Sequence, residues 1–219
     1  MGYEYDSLKR ESIIRLDSIR QSVAVFENAI DSQKNAHDEY VKKATEGVFP
    51  EDLRYHLAHY HYEFESKETD LTTALRYSIL VHTYGIFENI VNQLCVVHKE
   101  EKNLSLSLSD LRHEGIQRAK VYIKKVSNSN FNEASREWSE IVKINKIRNI
   151  IAHNDGSLIE GKHPNYNDIS LYISQTDNIL HDPESKKIRL EKGYNDHVIN
   201  VFSDYLKELF RLQDSEFEN

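Results

Sequence analysis

The chain has little that would stop a helix and nothing that would staple one segment to another. Of its 219 residues, one is cysteine, three are proline and seven are glycine. The single thiol, Cys95, excludes an internal disulfide framework, reads as a small buried hydrophobe in an apolar run, and makes a reducing compartment the expectation. Scarce glycine and proline, with 29% charged and 39% hydrophobic residues, exclude a turn-rich all-β fold and a disordered chain. Long apolar runs are missing as well: His82, Glu88, Asn89, Asn92 and Gln93 interrupt the strongest one, so no membrane span is expected. The opening residues Met1 to Asp6 have neither a basic start nor an apolar core, so no secretory signal is expected and the cytoplasm is the expected location. Positive charge is also short. A formal net charge of -8 excludes a protein that coats nucleic acid through a broad basic surface, but leaves room for a local RNA site.

What remains is helix-forming sequence, and the expected class is mainly α, with one globular unit over residues 1–219. Leu8, Ile13, Leu16, Ile19, Val23, Phe26 and Ile30 recur at helical spacing from Tyr5 to Asp31, a pattern that can run on to Ala44 before Glu46 and Gly47 stop it. Pro50 suits the first turn of an aromatic-rich second helix from Glu51 to about Glu65. The run from Asp70 to His98 carries the strongest apolar stripe and predicts the central core helix. Ser109 or Asp110 can cap a further helix to about Val126, which the polar run Ser127 to Asn130 ends. Another helix is expected from about Asn132 to His153, stopped by Asn154, Asp155 and Gly156. Beyond it, Ile169 to Ile173 alternates, Asp182 to Ser185 reads as a turn, and Lys187 to Leu190 alternates again, which predicts a small β-hairpin. An amphipathic helix from Tyr194 to Leu212 closes the pattern. The expected organisation is thus N-terminal helices over 1–65, core helices over 66–156, and the hairpin with the last helix over 157–219.

The chemistry concentrates in Ile147 to Gly156, where an arginine, an amide and an imidazole fall within one short stretch: Arg148, Asn149 and His153. On a helix advancing about 100° per residue, Ile141, Ile144, Ile147 and Ile151 form the buried stripe and Arg148 lies beside it. Such an arginine needs an anionic or carbonyl partner, and Ala152 one turn on leaves room around it. His153 falls in the last turn, where unpaired carbonyls and the negative end of the helix dipole favour a cation, which suits an acid or a phosphate contact. Arg148 and His153 are separated by roughly 140° on a straight helix, so either the helix end distorts or a second copy completes the site. Lys143 and Lys146 form a basic cluster abutting this segment and are candidate RNA contacts, whereas Arg118 to Lys125 reads as a solvated helical face.

The arrangement resembles the HEPN superfamily, compact helical domains marked by an arginine, a polar residue and, after a short spacer, a histidine. Arg148, Asn149 and His153 match that marker, and Ala152 stands in the small position often seen before the histidine. The resemblance covers this segment together with a helical pattern compatible with the fold over most of the chain. It implies an antiparallel helical bundle and metal-independent RNA cleavage, with no cofactor and no bound metal. The 2'-hydroxyl attacks the adjacent phosphate, His153 acts as base or acid, Arg148 stabilises phosphoryl charge and Asn149 orients the ribose or His153. The products would carry 2',3'-cyclic phosphate and 5'-hydroxyl ends. The resemblance also implies a homodimer in which both motifs line one cleft, RNA as substrate, and an antitoxin or defence-system protein as partner, because the family is concentrated in toxins and antiviral effectors. Acidic residues recur in the central helix of such proteins, which makes Glu88 a candidate support for Arg148. Adenylylated members carry a tyrosine two residues after the histidine; Asp155 stands there here, so that regulation is not expected.

Two other readings stay open. The chain can be a non-catalytic module of the same fold that binds RNA, a nucleotide or a protein. It can equally be a helical dimerisation protein in which Arg148 satisfies a carboxylate and His153 is a polar helix end. A weaker signal lies in His56, His59 and Glu63, whose spacing can share a helical face and hold a metal, although no HExxH or cysteine pair supports it. Solvated or aromatic-packed histidines are the plainer reading there. The neighbouring tyrosines can stack bases or pack against a core.

Overall fold

The structure, a computed structural model, describes residues 3–217, except for the side chains of 50, 61, 63, 65–68 and 215. Its elements are α1 (Tyr3–Ala44), α2 (Pro50–Glu101), a 3-10 turn (Leu108–Asp110), α3 (Gly115–Val121) running into a π-helical turn (Tyr122–Val126), α4 (Arg136–Asn154), α5 (Tyr166–Gln175), β1 (Ile179–His181), β2 (Ile188–Leu190) and α6 (Tyr194–Phe217). The fold is mainly α, with one two-stranded antiparallel hairpin between the Arg148 helix and the last helix, as expected. Ile179 pairs with Leu190 and His181 with Ile188.

α1 and α2 run antiparallel: Arg15 on α1 hydrogen-bonds Asn89 on α2, and Glu27 takes both arms of Arg76 at 2.8 Å. α6 lies antiparallel to α1, since Tyr5 donates to the Phe210 carbonyl at 2.6 Å and Lys192 reaches Asp31 at the other end. α4 crosses α2 in the opposite direction, with Gly156 against Tyr77 and Arg148 against Glu88. Between these helices Phe87 stacks on Phe202 at 4.3 Å, and Tyr84, Ile90, Val91, Leu94, Ile144, Ile147 and Val198 are fully buried. Burial of this apolar surface, at roughly 25 cal/mol per Å2, is what holds the bundle together.

Several expected boundaries shift for identifiable reasons. The second and third expected helices are one, because no glycine or proline separates Glu51 from Tyr84 and the polar residues between them do not break a helix. The helix expected from Ser109 or Asp110 starts instead at Gly115, whose φ of +55° interrupts the path. Asp110 closes a capping box on Ser107, at 2.7 Å from both its backbone N–H and its hydroxyl, and Ser107 holds its carboxyl below the usual range. α4 begins at Arg136 rather than Asn132, because the Ser135 hydroxyl accepts from the Trp138 N–H at 3.0 Å. Ile169 to Ile173, expected as a strand, is part of α5. Ile169, Tyr172 and Ile173 bury one helical face while Leu171 remains 55% exposed, so the three-and-four spacing overrides the alternation. The alternating run Lys187 to Leu190 does pair, with β1 formed later than expected. On α1, Ile13 and Phe26 fall off the buried stripe, where Ser12 and Glu27 are buried in their stead.

Candidate functional site

The stop at the end of α4 fixes where His153 stands. Asp155 and Gly156 adopt φ values of +50° and +74°, and the Gly156 N–H returns to the Ile150 carbonyl at 3.2 Å. A side chain at Gly156 would collide with the Tyr77 hydroxyl, which donates to the Ile188 carbonyl. Glycine is therefore required twice over, by dihedral and by contact. Lys187 on the flank of β2 pairs with Asp155. The hairpin and Tyr77 thus anchor the last turn of α4, and His153 projects from it, exposed and, among the described residues, without a hydrogen-bond partner.

Arg148 is held differently. Its guanidinium lies 4.9 Å from the centre of the fully buried Tyr84 ring, donates to Asn149 Oδ1 at 2.7 Å, and stands 4.0 Å from the Glu88 carboxylate. The last distance is too long for a hydrogen bond, so Glu88 contributes charge rather than a tight pair. Both side chains keep 25% of their surface exposed. The Arg148 Nε is buried and has no partner; the Tyr84 hydroxyl beside it is in the same condition. Burial pushes the Tyr84 phenol well above its usual pKa, Glu88 adds to the shift and Arg148 offsets part of it. A guanidinium stacked on a ring, with a buried unsatisfied edge and an outward face, is preorganised for an anion.

The expected residues therefore separate into three groups. Arg148, Asn149 and Glu88 come together, and Asn149 holds the guanidinium rather than a ribose or His153. His153 shares the helix but points from its end, and the helix shows no distortion that would turn the two side chains toward each other. Lys143 and Lys146 lean the other way, toward α5. Lys146 binds Asp168 at 2.7 Å, holding that carboxyl below its usual range, and Lys143 lies 5.6 Å from the centre of the Tyr172 ring. Neither lysine reaches Arg148.

Tyr84 and Asn92 were not singled out by the sequence as site residues. With Glu88 they stand at four-residue intervals on one face of α2, a spacing readable in the sequence. Among the described residues no group of histidine, cysteine and carboxylate side chains could hold a metal. His56 and Tyr60 stack with ring centres 6.4 Å apart, and the Glu63 side chain lies outside the described residues. Two grooves of about 530 and 280 Å3 run along α1, floored by Ile19, Val23 and Ile79 on one side and Leu16, Leu206 and Phe210 on the other; neither contains Arg148, Asn149 or His153. No helix of the described residues is long and apolar enough to cross a membrane. No protein-family model, curated protein or solved structure matches the chain, so its functional reading rests on these residues alone.

Proposed function

We propose that this protein is a metal-independent endoribonuclease of the HEPN type. One observation carries the reading: Arg148 is stacked, partly buried and left with an unsatisfied guanidinium edge on the same helix that ends in an exposed, unpartnered His153. In the reaction, His153 accepts the proton of a ribose 2'-hydroxyl as its oxygen attacks the adjacent phosphorus. The bond from phosphorus to the 5'-oxygen breaks, and that oxygen takes a proton from an imidazolium. Arg148 neutralises charge on the non-bridging oxygens as the pentavalent state forms. The products are a 2',3'-cyclic phosphate and a 5'-hydroxyl. Because Arg148 and His153 diverge along α4, a second copy of the chain supplies the missing partner, and the active species is a homodimer with a shared cleft. A cytoplasmic toxin or antiviral effector, restrained by an antitoxin or a companion defence protein, is the setting this chemistry suits.

The test is cleavage of single-stranded RNA in excess chelator by the wild type, Arg148→Ala and His153→Ala. Cyclic-phosphate ends produced only by the wild type support the reading; equal activity in all three contradicts it. A non-catalytic binding module is the second reading. It draws on one observation, that Arg148 already has Asn149, Glu88 and Tyr84 around it. RNA binding without cleavage in the same assay would select it.

A further inference from the structure

α1 and α2 leave an open furrow between them. Ile19, Val23 and Phe26 on α1 and Leu75, Ile79 and Ile86 on α2 line it, around a volume of about 530 Å3. It runs from Arg15 to Phe26 along one wall and from Leu75 to Ile86 along the other, about 17 Å or three helical turns at 1.5 Å per residue. An adjoining depression that shares Ser18, Ser22 and Phe26 widens it as far as Val25, which is 66% exposed. The hydroxyls in its walls are already satisfied. Ser18, Ser22 and Ser78 donate back to the carbonyls of Ile14, Ser18 and Ala74 at 2.9, 3.0 and 2.7 Å, each within its own helix. These serines therefore ask little of an occupant, and a continuous apolar trough of this size on a surface marks a place of contact.

Charge selects what fills it. The chain has 36 acidic residues against 28 basic ones, yet among the described residues no carboxylate lines the furrow or its extension; the ionisable groups there are Arg15 and His82. Arg15 has only the Asn89 amide oxygen, at 3.3 Å, and enters no ion pair among the described residues. A second copy of the chain fits poorly. Docked furrow to furrow, it would set one concave surface against another and bring two Arg15 side chains into the same interface. Docked by a different surface, it would leave each new furrow open to the next copy and grow a filament.

We propose that the furrow receives one amphipathic helix of a partner protein, apolar at i, i+3, i+4 and i+7 and acidic on the flank that meets Arg15. About 200° of helix separates Tyr84 from both His82 and Ile86, so the furrow lies on the side of α2 opposite the one that meets Arg148. The docked helix therefore leaves Arg148 and His153 uncovered, and the partner is carried by this chain rather than plugged into its site. The inference goes beyond the ribonuclease reading and does not depend on it.

The experiment uses three labelled, stapled 14-residue helical peptides: leucines at i, i+3, i+4 and i+7 with a glutamate flank, the same leucines with a lysine flank, and the glutamate peptide with its leucines scrambled. Binding to the full chain is read by fluorescence anisotropy. The glutamate peptide should bind with Kd on the order of 10 μM, and the lysine peptide about 5- to 10-fold more weakly. The scrambled one should not bind. Arg15→Glu should reverse the charge preference, Phe26→Ala and Ser22→Arg should each weaken the glutamate peptide about 10-fold, and Arg148→Ala and His153→Ala should leave its Kd unchanged. Thermal unfolding of each variant separates lost binding from lost folding. Failure of the glutamate peptide to bind, equal binding of all three peptides, or no effect of the furrow variants overturns the inference. Sedimentation velocity excludes the other occupant: a wild-type oligomer that Ser22→Arg dissociates would give the furrow to a second copy and overturn the inference as well.

Discussion

Two polar clusters on the second half of α2 are satisfied to very different degrees. Near its end, His98 is fully buried, with Nδ1 2.8 Å from the Ser127 hydroxyl and Nε2 2.8 Å from the Gln213 Oε1. An amide oxygen only accepts, so Nε2 carries the hydrogen and Ser127 donates to Nδ1. The Gln213 amide continues to the Asn130 carbonyl at 2.9 Å, and Lys102 ties Glu216, Ser129 and the Ser127 carbonyl together at 2.6, 2.7 and 3.1 Å. The whole cluster joins α2, the loop before α4 and the end of α6. Two to four turns earlier, the Tyr84–Glu88–Asn92 stripe has a loose ion pair to Arg148, and Tyr84 Oη, Asn92 Oδ1 and Arg148 Nε have no partner. A closed network specifies the packing of three segments; an open one leaves hydrogen-bonding capacity for a ligand. The same helix therefore carries a closed polar cluster and an open one.

Substitutions should split along that line. Arg148→Ala and His153→Ala should each lower RNA cleavage by about 10²- to 10⁴-fold while thermal midpoints stay near wild type. His98→Ala should do the reverse. It strands Gln213 and Ser127 in the interior, costing about 3 kcal/mol in urea unfolding, with kcat unchanged in whatever fraction remains folded. A loss of kcat there, with stability intact, would erase the distinction between the two clusters.

The closed cluster also has a pH signature. Burial, with Lys102 alongside, holds the His98 imidazole down at a pKa of about 4 against an ordinary value of 6.5. The unfolded chain then binds a proton more readily than the native one, so this contribution is absent above pH 6.5 and grows as a penalty as pH falls toward 4. It amounts to about 3 kcal/mol across that window. Urea midpoints taken between pH 7 and pH 4.5 should fall for the wild type and fall less for His98→Gln. A parallel decline in the two proteins would assign the acid sensitivity to carboxylates instead.

The smallest effect compares two tyrosines. The Tyr5 hydroxyl donates to Phe210 at 2.6 Å, whereas the Tyr84 hydroxyl has no partner. Tyr5→Phe should cost about 1 kcal/mol, and Tyr84→Phe should be neutral or slightly stabilising. Equal costs would show that the Tyr84 hydroxyl is satisfied after all.

The sequence made the closed and open ends unequally visible. Helical spacing identified the apolar face of α2 and the stop at Asn154 to Gly156, because each depends on residues close in sequence; Glu88 was a candidate neighbour of Arg148 only through the family resemblance. His98 ended the expected core helix without a role, since its partners Ser127 and Gln213 are far away in the chain and meet it only when α6 docks. Lys143 and Lys146 looked like companions of Arg148 because they precede it closely. Helical geometry turns them to the opposite flank, where Asp168 and Tyr172 on α5 receive them. That outcome was hidden by reading Ile169 to Ile173 as a strand.

The divergence of Arg148 and His153 along one helix leads to the claim that the working site is shared between two copies, and subunit mixing tests it most directly. Arg148→Ala and His153→Ala, each inactive alone, are combined under conditions that exchange subunits, and heterodimer formation is followed by native mass spectrometry. In a shared site, each heterodimer keeps one intact arginine facing one intact histidine across the cleft, so cleavage should return to about a quarter of wild type at equal mixing. Heterodimers that form in the expected proportion yet cleave no faster than either parent would contradict a shared site.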